Sequence, residues 1–269
     1  MCDNGVNMKL IDMFNRAMKQ CDILLDLHKA LLTTNSRSVR SEWKSRFFDA
    51  KLVKWAMRDG LWRSTGKSIL ILGNNHSQLT HESFSSEYLS VFLRSAIVLC
   101  FAAIDKILHE AVSNNFVNLV RSESLDKIVR LEVSKCYEIA QGARIRRGKG
   151  GKSRSRPGHK IKTEVLSRIY SETFLAPRRL EEICAWLGVP HVFDRFGNTL
   201  KPRKRNEEIK REWARLYCRR NQIAHEGDII RKAKGQKIHF HSVRADMIRQ
   251  DVDWVRGFGS FICQSLHRS

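Results

Sequence analysis

The sequence predicts an all-α protein, and three observations carry that expectation. Apolar residues recur at three- and four-residue steps through the long segments, which is the period of one helix face. No stretch shows a sustained alternation of apolar and polar residues, the mark of a half-buried strand. The most hydrophobic segment, Glu87 to Val112, is apolar on nearly every side, as a central bundle helix must be. With 42% hydrophobic residues and only four prolines among 269, the chain has the means to bury a core. Its length fits one domain with an extension, or two small domains.

In chain order, Met8, Ile11, Phe14, Met18, Cys21, Leu25 and Leu32 define a first amphipathic helix. Val39, Trp43, Phe47 and Ala50, widened by Phe48, Leu52 and Trp55, define a second that stops at Gly60. A polar connector then extends to Ser86, broken only by the apolar run Ile69 to Leu72. These parts, residues 1–78, read as an N-terminal extension to a main domain over 79–269. Ser64-Thr65-Gly66-Lys67-Ser68 resembles half a phosphate-binding loop, but Gly60 and Gly66 enclose five residues instead of four, and helix is expected before them. An ordinary polar turn is expected.

The helix Glu87 to Val112 carries a narrow polar seam, since Ser90, Arg94, Asp105 and His109 project within about 100° of one another. Burying Arg94 or Asp105 without a partner would be costly, so each must pair with a neighbouring helix, reach solvent, or, for Asp105, support a site. A helix over Leu125 to Ala140 comes next. Residues 141–163 then hold Arg144, Arg146, Arg147, Lys149, Lys152, Arg154, Arg156, Lys160 and Lys162, no acid and five glycines, and are expected to form a flexible basic loop. Helices are expected over Thr163 to Phe174 and over Pro177 to Leu187, with Pro177 in the first turn and Gly188 as the stop. A turn-rich stretch, Phe193 to Pro202, leads through Lys201, Arg203, Lys204 and Arg205 into a helix from Ile209 to His225. Beyond Gly227, Ile229-Ile230 and Ile238 to Phe240 allow a small hairpin, and Ser242 to Leu266 closes the bundle.

The excess of 49 Lys+Arg over 28 Asp+Glu gives a formal charge of +21, which favours a polyanion partner: nucleic acid first, an anionic membrane surface second. The longest apolar run, Ala96 to Ile104, falls well short of the roughly 20 residues a bilayer requires, so no membrane span is expected. Seven scattered cysteines without a CxxC pair argue against a disulfide framework or a zinc site. Together with the absence of a signal-peptide pattern in Met1 to Lys9, they point to the cytoplasm. His239 and His241 lack a third ligand at useful spacing, so neither a metal nor a cofactor is expected.

The helix from Ile209 concentrates the chemistry. Ile209, Trp213, Leu216, Ile223 and Ala224 form its expected apolar stripe, and Arg220 falls within it. A guanidinium stays charged at any accessible pH, so Arg220 needs a carboxylate, a phosphate or a wet cleft. Asn221 and His225, four residues apart, are neighbours on one face, and His225 sits in the last turn. Two plain structural parts are equally open: Arg220 could hold Asp105, and His225 could favour the negative end of the helix.

Arg220-Asn221-Gln222-Ile223-Ala224-His225 resembles the R-x4-6-H motif of the HEPN superfamily, with a polar Asn directly after the arginine. The apolar helix with Arg94 and Asp105, Glu226-Gly227-Asp228 after the motif, and the closing helix together resemble the RiboL-PSP-HEPN branch over Leu79 to Leu266. The resemblance implies a HEPN-like helical bundle with an N-terminal extension and a basic loop insertion. It also implies a metal-independent endoribonuclease, in which the RNA 2′-hydroxyl attacks the adjacent phosphate to leave a 2′,3′-cyclic phosphate and a 5′-hydroxyl. Two protomers would supply one composite site, and a toxin or antiphage role with an antitoxin or regulatory partner would follow by analogy.

The chemistry of the residues agrees. His225 is of the type that titrates near neutrality and serves as acid or base. Arg220 offers a planar fork to the phosphate, and Asn221 could orient the phosphate or the imidazole. Asp105 could pair with Arg220 or hold His225, and Arg219 could add a phosphate contact. The basic loop and Lys201 to Arg205 would gather RNA. On an ideal helix, Arg220 and His225 lie about 140° apart, which favours a site shared across a two-fold axis. A non-catalytic RNA-binding adaptor and a DNA-binding regulator are the competing expectations.

Overall fold

The computed structural model describes residues 4–33, 61–64, 69–72, 85–116, 119, 157–230 and 239–268. Within them the fold is an all-α helical bundle carrying two short hairpins. Its elements are α1 (Asn4–Thr33), β1 (Leu61–Ser64), β2 (Ile69–Leu72), α2 (Ser86–Asn114), α3 (Pro157–Ser171), α4 (Pro177–Trp186), α5 (Val192–Thr199), α6 (Asn206–Glu226), β3 (Ile229–Ile230), β4 (His239–Phe240) and α7 (Ala245–Arg268). The chain divides into two compact units. One comprises Met1–Ala17, Phe101–Arg220 and Trp254–Ser269, and the other Met18–Cys100 and Asn221–Asp253.

The first unit is built around Trp213 of α6, which is fully buried. Its ring lies 4.8 Å from Phe101 of α2 and 5.1 Å from Phe258 of α7, and its indole N–H donates to the Leu175 carbonyl at 2.8 Å. That bond satisfies the single polar atom of a buried tryptophan. Phe193 and Phe196 of α5 extend the cluster to Phe258 at 5.6 and 5.0 Å. Phe14 of α1 packs so closely on Gly259 that a Cβ there would run into the ring. Gly197 has the same function beside the Lys204 backbone: a Cβ would meet the Lys204 carbonyl, while the Lys204 N–H donates to the Gly197 carbonyl at 3.1 Å. This close approach holds the basic segment before α6 against α5.

In the second unit, Met18, Cys21, Leu25 and His28 of α1, Leu89, Leu93, Ala96, Ile97 and Cys100 of α2, and Ile248 and Val252 of α7 are buried. β1 and β2 pair antiparallel with Leu61 opposite Leu72, and β3 pairs with β4 with Ile229 opposite Phe240.

The expected elements hold with four corrections. The polar connector contains a hairpin, because Leu61–Ser64 pairs with the apolar run Ile69–Leu72. Four-residue strands are too short to display an alternation. The pairing also places strand on both sides of Thr65 to Ser68, where a phosphate-binding loop would be followed by a helix. The last part of the expected basic loop is helical, since α3 begins at Pro157, a residue suited to a first helical turn. The supposed turn-rich stretch is largely α5, which buries Val192, Phe193, Phe196 and Gly197 along one face of only two turns. Finally, the apolar stripe of α6 is fully buried only at Ile209, Trp213 and Leu216, whereas Ile223 is half-buried and Ala224 exposed. The expected helices over Val39 to Trp55 and Leu125 to Ala140 lie outside the described residues, as do the loop residues Arg144, Arg146, Arg147, Lys149, Lys152, Arg154 and Arg156.

Candidate active site

Arg220, Asn221 and His225 share one uninterrupted helix, α6, which starts with Glu207 and Glu208 in its first turn and ends with His225 in its last. Negative residues at the start and a potential cation at the end both suit the helix dipole. Arg220 is half-buried with its Nε shielded from solvent; Arg219 and Asn221 are half-buried, and His225 is exposed. An exposed imidazole at a helix end is open to a ligand, and a half-buried guanidinium is held yet still reachable.

The turn beyond His225 is tightly built. Gly227 and Asp228 both adopt left-handed backbone, each with φ 62°, which turns the chain sharply out of the helix. Glycine takes this conformation freely and aspartate better than most residues, so Gly-Asp suits the turn. The Asp228 N–H reaches back to the Gln222 carbonyl at 3.3 Å, and the Asp228 carbonyl accepts from the His241 N–H at 3.0 Å. The Asp228 side chain, 0% exposed, accepts from Arg94 Nε at 2.6 Å. Arg94 also donates from Nη2 to the His241 carbonyl at 2.8 Å and from Nη1 to the Ser90 hydroxyl, and its guanidinium lies 5.2 Å from the centre of the Phe240 ring. A buried carboxylate is tolerable only with such a partner.

Asp105 lies elsewhere on α2 and has different contacts. Its Oδ1 accepts from the Phe174 N–H at 2.9 Å and lies 3.7 Å from His109 Nε2. His109 is buried between Phe174 and Tyr170, with ring centres 4.4 and 5.4 Å away. The polar seam of α2 thus separates into two pairs: Arg94 with Asp228, and Asp105 with His109. Asp228 is the residue to which sequence reasoning gave no role. The available signal was an acid directly after the helix-ending glycine, opposite an arginine in an apolar helix.

Lys201, Arg203, Lys204 and Arg205 are all exposed. Among the described residues none of the four forms an ion pair, whereas Lys106, Arg178, Arg179, Lys210, Arg215, Arg244 and Arg249 each lie within 4.0 Å of a carboxylate. Arg215 grips Glu212 with two bonds, at 3.0 and 2.7 Å, and together with the more distant charge of Lys204 keeps that carboxyl below its usual range. Among the described residues no His, Cys, Asp or Glu cluster could hold a metal ion, and no helix is long and apolar enough to cross a membrane.

No curated protein and no solved structure matches the chain. Residues 66–267, however, match the family model described as RiboL-PSP-HEPN, a span that contains α2, the motif helix, the Arg94–Asp228 pair and all but the last residue of α7. A helical bundle of this order, with an arginine and a histidine on its penultimate helix and an RNA-related function to be expected of its relatives, fits that match, and the chain belongs to the RiboL-PSP-HEPN family.

Proposed function

We propose that the protein is a metal-independent endoribonuclease in which Arg220, Asn221 and His225 act on one RNA phosphate. The observation that carries the reading is the pairing of a half-buried arginine with an exposed, helix-terminal histidine on one continuous helix. In the step proposed, His225 takes the proton of the 2′-hydroxyl as its oxygen attacks the phosphorus, and the P–O5′ bond breaks. Water supplies the proton that the departing O5′ takes up, which completes a 2′,3′-cyclic phosphate and a 5′-hydroxyl, and the imidazolium of His225 returns its own proton to solvent. Arg220 stabilises the charge gathering on the phosphoryl oxygens, and Asn221 orients the group. The wide azimuth between Arg220 and His225 is met by a homodimer in which facing motifs form one site. Arg219 and the exposed cations Lys201, Arg203, Lys204 and Arg205, with Arg144 to Arg156, hold the backbone of the RNA. Asp105, engaged by Phe174 and His109, supports the bundle in this reading instead of serving the phosphate. A cytoplasmic toxin or antiphage effector restrained by a regulatory partner is the role that fits such an enzyme.

The test is RNA cleavage in EDTA. Wild-type protein should cut, leaving cyclic-phosphate ends, while His225→Ala and Arg220→Ala should not. Equal cutting by the variants would overturn the assignment, and RNA binding without cutting by any form would make the protein an RNA-binding adaptor.

A further inference from the structure

We infer that Arg94 and Asp228 are positioning residues for His225, a latch that sets the end of the motif helix from outside the reacting atoms; this rests on the nuclease reading above. Exposure is the starting point. His225 is exposed, so its own packing does little to fix it, and the last turn of a helix frays because its final carbonyls lack partners within the helix. Another contact must hold that turn. The hydrogen bond from the Asp228 N–H to the Gln222 carbonyl closes a ring of backbone with His225 inside it. The far side of that ring is bolted to α2, because the buried Asp228 carboxylate is held by Arg94 at 2.6 Å.

Arg94 holds more than the carboxylate. Its Nε, Nη1 and Nη2 point to three different acceptors, on the turn after α6, on α2 itself and on the carbonyl of His241 just beyond β4. The Phe240 ring covers its guanidinium. A lysine would carry the same charge but could not reach these directions with one planar group. The arrangement therefore fixes orientation as well as charge, which is what a group poised for proton transfer requires.

The experiment uses the full chain as Arg94→Lys, Asp228→Asn and the double variant, beside wild type and His225→Ala. Asp228→Asn is the milder change, since asparagine tolerates left-handed backbone and keeps an acceptor oxygen. Near-ultraviolet circular dichroism establishes folding, hydrogen–deuterium exchange reads peptides across 221–230, and RNA cleavage gives kcat and KM separately. The latch predicts faster exchange at 221–230, kcat lower by on the order of a hundredfold with KM near wild type, and a double variant no worse than the worse single. A part confined to stability would lower Tm and leave kcat intact in the folded fraction. Folded variants with wild-type kcat, or with unchanged exchange at 221–230, overturn the latch while His225→Ala remains inactive. Equal cleavage by wild type and His225→Ala overturns the nuclease reading and the positioning role with it.

Discussion

Asp105 offers a sharp test, because its place on the central helix suits a catalytic acid and its contacts suit a strut. The Phe174 N–H donates to its Oδ1 at 2.9 Å, and Phe174 is fully buried. Asp105→Ala removes the acceptor and leaves that donor without its partner, a loss of about 1.5–3 kcal/mol for a bond to a charged group. The Asp105 side chain is 22% exposed, so water compensates in part and the lower end, about 1.5–2 kcal/mol, applies. For a chain of this size that is a fall in Tm of about 3–4 °C. Asp105→Asn keeps an oxygen for Phe174 and loses only the interaction with His109 at 3.7 Å, a contact worth well under about 1 kcal/mol. Differential scanning calorimetry on both variants, with RNA cleavage measured well below either Tm, separates the two parts. The strut predicts the calculated drop for alanine, little for asparagine, and retained kcat in both. An asparagine variant with wild-type Tm and no cleavage would refute this reasoning and return Asp105 to the chemistry.

Burial has further consequences. It pushes the Cys184 and Cys263 thiols up to about 12 each, whereas Cys218 is exposed; iodoacetamide at pH 8 and then mass spectrometry should show Cys218 modified in the native protein and the other two spared. Early labelling of Cys184 would mean that the α4 face opens readily. Burial also lowers the pKa of His28, so the unfolded chain binds the extra proton more readily than the folded one. That site costs nothing above its ordinary value near 6.5 and destabilises increasingly as pH falls below it, so His28→Gln should flatten the loss of Tm between about pH 7 and 5. A parallel fall in variant and wild type would refute the account.

Long helices with strong apolar periods were legible in the sequence to within a few residues, as α2 and α7 show. The misplaced elements share a cause. β1, β2 and α5 are four to eight residues long, too short for a period to declare itself, and Phe193 and Phe196 of α5 find their partner, Phe258, far along the chain. The start of α3 was hidden by composition, because glycines and cations outweighed a single Pro157. At the site, the need of Arg94 and Asp105 for partners was readable from type and spacing. Their identities were not. Arg94 meets an acid 134 residues away and Asp105 a backbone N–H 69 residues away, pairings that only the folded chain sets.

Charge and geometry have separate consequences in this molecule. Besides Arg94, cations such as Lys106, Lys210 and Arg215 are engaged by carboxylates, yet four of five consecutive residues from Lys201 to Arg205 face solvent without an ion pair among the described residues. Exposed like charges repel, so such a cluster persists at a cost that a polyanion relieves by releasing its own counterions. Gly197 makes the cluster's location definite, because only the absence of a side chain lets the Lys204 backbone lie against α5. In the proposed reading, affinity for RNA is thus held at a fixed place without any constraint on the motif. Cleavage demands more, since a phosphate brought near by charge reacts only if an imidazole meets it at a set angle. Surface charge cannot supply that angle. A buried ion pair beyond the end of the helix can, and in the proposed nuclease that gives Asp228, fully enclosed and silent in composition, a more direct bearing on cleavage than most of the +21.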